Sequence, residues 1–358
     1  MTEYFEVHAR DGAARIGELR LRDPVTTPAL ADDAVVDAGS LWAADRDPPE
    51  GSEDTLTVLP HRSFPAGTDP TVQDSFAVDY PDVDYPSAGV VTGETAADYG
   101  CDAYALANAP GVVGHGASFR DEMIAVREAV PTDTALYLAG VATPANVATL
   151  VAAGADLVDA KLARVKGRQG IYLTTEGAYH LDELVAEGGE LPGAFPSDPS
   201  LDEFTREDCV AHNVAALESA LATVRTRIRR GRLRDYLEGQ ARHENWLTAT
   251  FREFDHQYRY LEERTPVIRE AEISAASEET MDRVEIQRFA DRVTTRYRNR
   301  FSNPLVLVPC SARKPYSDSQ SHAQFHRAIN YRGHLVSMTS PIGVVPQELE
   351  CTYPAQHY

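Results

Sequence analysis

The chain has 358 residues, 43% of them hydrophobic, and carries 34 basic against 55 acidic side chains for a net charge of −21. That length exceeds one comfortable core and suggests two domains or more. No apolar run reaches the roughly 18 residues of a membrane span. The first residues lack the basic and apolar segments of a signal peptide, and Cys101, Cys209, Cys310 and Cys351 make neither a disulfide framework nor a metal knuckle. The expectation is a soluble cytoplasmic protein without metal or cofactor.

The acids are spread along the chain, and its only lysines are Lys161, Lys166 and Lys314. Dense carboxylates with arginine in place of lysine suit a salt-rich cytoplasm, where repulsion is screened within about 3 Å at 1 M salt. The composition reads as that of a halophile. At such salt counterion release is worth little, so the negative charge does not exclude an RNA substrate.

In chain order, residues 4–19 predict two short strands around the Asp11-Gly12 turn. From Asp32 to Pro86 the Pro- and Asp-rich sequence predicts irregular connections. Strands are then predicted at 102–106, 135–140 and 157–159. They alternate with a helix over 118–130, with Ser118 as N-cap and Asp121 near the capping-box position, and a helix over 144–153 with Thr143 as N-cap. This alternation implies parallel strands, and a polar residue at a strand's C-terminal end, here Asp159, would face an active site in a TIM-type barrel.

An amphipathic helix through Leu217, Leu221, Val224 and Ile228 ends in a basic cluster, Arg225, Arg229, Arg230 and Arg232, closed by Gly231. The cluster is a candidate RNA contact; a positive last turn also suits the helix dipole. One long helix is predicted over 236–263, with Trp246, Phe251, Phe254 and Tyr258 as core. A junction follows at 271–279, then a connecting helix over 284–297. The expected domains are 1–270, a linker helix within 271–300, and the start of a second α/β domain from 301.

The apolar run Leu305-Val306-Leu307-Val308 predicts a buried strand that delivers Pro309-Cys310-Ser311-Ala312-Arg313-Lys314-Pro315-Tyr316-Ser317-Asp318-Ser319-Gln320-Ser321-His322 to a loop, before a helical pattern over 323–331. Cys310 beside Arg313 and Lys314 has neighbours that favour a thiolate, a nucleophile suited to an electrophilic carbon such as a nitrile. A buried inert cysteine is the competing reading. Lys314 stands in a chain that has nearly abandoned lysine, which points to a task arginine cannot perform. His322 is a candidate proton shuttle. Ser311, Tyr316, Ser319 and Ser321 are candidate substrate contacts. A strand over 335–346 with a tight turn follows.

This loop resembles the signature loop of the archaeosine synthases, tRNA-modifying relatives of the tRNA-guanine transglycosylases. Three further stretches are similar to the transglycosylase barrel: residues 4–19 with 25–30; residues 154–174, in which Asp159 falls on the nucleophile position and is a candidate substrate contact, with a strand-end cap as the competing reading; and Ala211-His212-Asn213-Val214. The resemblance implies a degenerate (β/α)8 barrel followed by a second α/β domain. It implies addition of an amine donor, lysine rather than glutamine, to the nitrile of 7-cyano-7-deazaguanine in the tRNA D-arm, with a radical SAM partner subunit acting next. It also implies a continuation into more of the second domain and a PUA domain.

The chain departs from the transglycosylases in two places. The stretch carrying their acid–base aspartate is missing, and Gly193 to Pro199, after Glu190-Leu191-Pro192, contains no cysteine, so that His212 with Cys209 offers two zinc ligands at most. Base exchange at Asp159 and a non-catalytic tRNA-binding subunit are the alternative functions, and a homodimer is left open.

Overall fold

Asp11-Gly12 turns the chain because Gly12 accepts a φ of 65°. Strands β1 (Phe5–Asp11) and β2 (Ala14–Leu19) pair antiparallel across it, and β3 (Val25–Thr27) adds to β2. The structure, a computed structural model, describes residues 2–65, 67–188 and 190–358. It contains two compact units, Met1–Phe254 and Asp255–Tyr358.

The first unit is built on a seven-stranded parallel sheet. Its strands are β4 (Ala29–Leu30), β5 (Val35–Asp37), β6 (Leu56–Val58), β7 (Ser87–Val91), β8 (Ala103–Leu106), β9 (Ala135–Leu138) and β10 (Leu157–Val158), in the order β4-β10-β9-β8-β7-β6-β5. β4 pairs with β10 and β5 with β6, so the kinked segment 29–37 touches both ends of the sheet. The strands are parallel, as the βα alternation implies, and the sheet curls into the degenerate barrel that the resemblance implies.

β6 and β7 lie within or just past the stretch expected to be irregular. Each is short and nearly all buried, so neither shows the alternation by which a half-exposed strand is read. Also within that stretch is α1 (Pro70–Ser75), and α2 (Ala109–Val112) follows β8.

The helix expected at 118 begins earlier, as α3 (Gly116–Ala129), with His115 at the N-cap position and Ser118 inside the helix. That expected at 144 becomes α4 (Val147–Ala152). Thr143 and Asn146 exchange hydrogen bonds in the turn before it, Thr143 N to Asn146 Oδ1 at 2.8 Å and Asn146 N to Thr143 Oγ1 at 3.3 Å. After α5 (Lys161–Arg168), the hairpin β11 (Ile171–Thr174) and β12 (Gly177–His180), and α6 (Leu181–Glu187), the long helix α7 (Arg206–Arg229) starts at a Thr205/Asp208 capping box. The single helix expected over 236–263 is three: α8 (Leu233–Gln240), α9 (Asn245–Asp255) and α10 (Tyr258–Arg264).

At the N-terminal ends of the parallel strands lies a buried charge cluster. Asp156 accepts from Arg15 Nε at 2.9 Å, Arg15 Nη2 at 2.6 Å, Leu136 N at 2.8 Å, and Arg127 Nη2. The arginines also donate to main-chain oxygens, Arg15 to Thr132 at 2.6 Å and Arg127 to Gly154 at 2.9 Å. Gly154, at φ 113°, lets Arg127 approach: a Cβ there would stand 3.1 Å from its Nε.

In the second unit, α11 (Val284–Thr295) leads to β13 (Leu305–Pro309), α12 (Gln320–Ala328), β14 (His334–Thr339) and β15 (Gly343–Pro346). β13 and β14 are parallel with α12 as the crossover, and β15 returns antiparallel. Ile273, Ile286, Phe289, Tyr316, Ile342, Val345 and Ala355 form the core. β13 is an edge strand and not the buried one expected, with Leu305 and Leu307 55% and 52% exposed.

Candidate active site

The β13–α12–β14 unit puts a loop at the C-terminal ends of two parallel strands, the place where open α/β sheets offer ligand sites. Cys310 follows β13 directly. Its N–H donates to Met338 O on β14 at 3.1 Å, and its thiol is exposed and free. The local fold thus holds the main chain of Cys310 while leaving its sulfur accessible.

Lys314 is half-buried. Its ammonium donates to the main-chain oxygen of Tyr358 and lies 2.9 Å from the centroid of that tyrosine's ring. Burial lowers Lys314 to about 8, against an opposing pull from Cys310. Tyr316 is fully buried and its hydroxyl bonds to that of Tyr358, which donates to Thr339 Oγ1 at 2.7 Å. Burial raises the Tyr358 phenol, which stays neutral. Cys310, Lys314, Tyr316, Thr339 and Tyr358 are thereby brought to one end of the sheet.

Ser319 is the N-cap of α12, accepting from His322 N at 3.2 Å and meeting Ser321 Oγ at 3.2 Å. α12 therefore begins three residues before the expected helix, and Ser321 and His322 stand on its first turn rather than in the loop. The buried His322 packs against Tyr316, their rings 5.3 Å apart and 15° from parallel, and its Nε2 donates to Pro309 O at 3.2 Å. A carbonyl only accepts, so Nε2 carries the hydrogen and Nδ1 is the basic nitrogen. Burial lowers its proton affinity. Ser311 Oγ accepts from Arg313 N at 3.2 Å, and Ser317 N donates to Glu350 at 3.0 Å. Thr339 and Tyr358 went unnoticed in the sequence, since nothing but tertiary contact marks them.

In the first unit, Asp159 follows β10 and is 1% exposed. Its carboxylate accepts from the Tyr137 hydroxyl at 2.7 Å, Gly140 N at 3.0 Å and Lys161 N at 3.1 Å, with Lys161 Nζ at 3.4 Å. On the same C-terminal side of the sheet, a cavity of about 520 Å³ is lined by Phe64, Thr92, Asn108 and Glu122, among others. Burial raises the Glu122 carboxyl against a hydrogen bond from Gly93 N at 2.8 Å.

His212 uses both ring nitrogens, Nδ1 on Asp198 at 2.8 Å and Nε2 on Leu173 O at 3.2 Å, and stacks 3.9 Å from Tyr172. Burial raises the Cys209 thiol to about 11. Among the described residues no group of three or more His, Cys, Asp or Glu is placed to hold a metal.

Of the basic cluster, Arg225 donates to Pro28 O at 2.6 Å and Arg232 pairs with Asp235 at 2.9 Å, while Arg229 and Arg230 are exposed.

A family model described as Queuine tRNA-ribosyltransferase matches residues 91–191, the region of Asp159. One described as Domain of unknown function (DUF5591) matches residues 286–358, the region of Cys310. The chain is 66% identical over 359 residues to the archaeosine synthase of Haloferax volcanii, an alignment covering 100% of this chain and 61% of the relative. Over its whole length the chain is thus similar to an archaeosine synthase. The archaeosine synthase subunit alpha of Methanosarcina acetivorans is 38% identical over 393 residues, covering 100% of this chain and 62% of that one. The tRNA-guanine(15) transglycosylase of Thermococcus onnurineus is 26% identical over 216 residues, 57% of this chain and 37% of the relative. The chain thus spans less than two thirds of the length of these archaeosine synthase relatives.

Proposed function

We propose that the chain carries tRNA-modifying chemistry in its second unit: addition of an amine donor, lysine in preference to glutamine, to the nitrile of a 7-cyano-7-deazaguanine base in the tRNA D-arm. The observation that carries this reading is an accessible Cys310 thiol at a strand end beside a half-buried lysine of lowered basicity. Cys310 Sγ adds to the nitrile carbon while the nitrile nitrogen takes a proton, giving a thioimidate. The donor amine then adds to the same carbon and the thiolate leaves, so nitrile and amine combine into an amidine with no atom lost. Lys314 takes the thiol proton and returns one to the nitrogen, a role closed to arginine, which stays protonated. His322 positions Cys310 through Pro309 O, with Nδ1 left for proton transfer. Ser311, Tyr316, Ser319 and Ser321 shape the loop that meets substrate.

On this reading the adduct passes to a radical SAM partner. Base exchange is disfavoured because the Asp159 oxygens are engaged by Tyr137, Gly140 and Lys161; we read Asp159 as an anchor.

The test is mass spectrometry of tRNA carrying the cyano base after incubation with the protein at high salt, with lysine or with glutamine. A gain of one lysine is expected. No gain with either donor, while tRNA still binds, would reduce the chain to a binding subunit.

The lowered Lys314 also sets a pH profile. Its neutral form grows as pH rises through about 8, so single-turnover adduct formation should climb through that range. Lys314→Arg should be slow and lose the inflection; an unchanged profile in this variant would remove Lys314 from the proton transfers.

A further inference from the structure

Charge is divided unevenly along this chain. Residues 255–358 hold 13 basic and 13 acidic side chains, so the whole acidic excess belongs to residues 1–254, with 21 and 42. Within the second unit the unevenness repeats: from Arg292 to Arg332 there are eight basic side chains and one acid, Asp318. A chain that elsewhere accumulates carboxylates has excluded them from this stretch.

The densest part is Arg296-Tyr297-Arg298-Asn299-Arg300-Phe301, between the end of α11 and β13. Arg296, Arg298 and Arg300 are all exposed, and none makes an ion pair among the described residues. Many arginines of the first unit are spent internally: Arg15 and Arg127 on Asp156, Arg120 on Glu253, Arg164 on Asp32 and Arg234 on Glu238. A suitable last helical turn accounts for Arg296, but Arg298 and Arg300 lie beyond the helix, where the dipole argument no longer applies.

The segment is held rather than loose. Tyr297 donates to Glu348, whose carboxylate also meets His334 Nε2 at 2.9 Å, so that acid is already occupied. Phe301, half-exposed, stacks on His334 with ring centroids 4.6 Å apart at 25°. His334 N in turn donates to Pro304 O at 2.8 Å, which brings the exposed Arg332 and Tyr331 to the same end of the sheet. Guanidiniums that pair with phosphates, interleaved with exposed aromatic faces, are what a single RNA strand requires.

We infer that Arg296, Arg298 and Arg300, with Arg332 and the ring of Phe301, form an RNA backbone contact of the second unit. The inference rests on the reading of tRNA as substrate. β13 spans about 17 Å at 3.3–3.4 Å per residue and leads from this contact to Cys310, so RNA held at one end of the strand presents a nucleotide a few positions along to the thiol at the other.

The test is binding of an unmodified tRNA transcript to the intact chain, followed by fluorescence anisotropy over a series of KCl concentrations. Arg296→Gln/Arg298→Gln/Arg300→Gln should weaken binding and lower the slope of log affinity against log salt by about 2–3, at about 0.7–0.9 per phosphate contact. The corresponding triple lysine variant should keep the slope. Arg229→Gln/Arg230→Gln carries the competing assignment and should leave it unchanged. A slope unaltered by the triple glutamine variant, or lowered only by the α7 pair, would overturn the inference while leaving tRNA as substrate. No binding by the unsubstituted chain would overturn both. Displacement of the RNA by polyglutamate of matched charge as readily as by RNA itself would assign the arginines to an acidic protein instead.

Discussion

Cys310→Ala is expected to lower formation of the lysine adduct by at least about 10³-fold, because on the proposed mechanism it removes the nucleophile and with it the covalent route. The side chain is exposed, and its thiol is free, so thermal stability and tRNA affinity should be unaffected. Cys310→Ser is the more discriminating variant. It keeps a polar atom at the same place but substitutes a hydroxyl, far less nucleophilic at neutral pH, and should be nearly as slow. Both are read by single-turnover mass spectrometry of the tRNA base. Wild-type rates in either variant would mean that the donor amine attacks the nitrile directly, with Lys314 as its base and Cys310 a bystander.

Asp156→Asn should cost about 3–5 kcal/mol, the range for removing one partner of a buried ion pair. Arg15 and Arg127 are 2% and 8% exposed. The amide would face them with N–H donors where they need an acceptor, leaving two guanidiniums with no compensating charge. For a chain of this size the midpoint of thermal unfolding should fall on the order of 10 °C. A shift of about 2 °C or less would show that water or the carbonyls of Thr132 and Gly154 suffice. Burial alone would raise the Asp156 carboxyl, but the two guanidiniums outweigh it and hold it below its ordinary value. Its contribution is therefore complete above about 3.9 and is lost as the pH falls below that value through the depressed folded one.

The Asp156 cluster also marks the limit of what the sequence tells. Nothing near Asp156 announces that it meets Arg15, far away on a hairpin, and a buried aspartate looks like any other in so acidic a chain. β8 and β9 were legible from their alternation with helical patterns, α7 from its amphipathic spacing and the first hairpin from its Asp-Gly turn, all of which are local chemistry. β6 and β7 were not, since Pro- and Asp-rich sequence surrounds them in place of the helical patterns that frame β8 and β9. β13 was legible as a strand but not as an edge, because exposure of Leu305 and Leu307 depends on what lies beside them. At the candidate site, Cys310 and Lys314 stood out by residue type and rarity. The cap at Ser319 and the contact of His322 with Pro309 O emerged only with the helix start. Tyr358 entered through space alone, as the surface on which Lys314 rests.

The kinked segment 29–37 has a consequence for how the chain reaches this fold. Ala29 pairs with Leu157 while Val35 pairs with Leu56, so one short stretch waits on partners made at very different times. During synthesis β5 through β9 can assemble as a growing sheet, but β4 has no place in it until β10 leaves the ribosome. Until then the inner edges of β4 and β9 are open to other chains. Such pairing between distant residues slows folding, and substitutions at Ala29 or at the fully buried Leu157 should lower yield during expression as well as the stability of the folded protein.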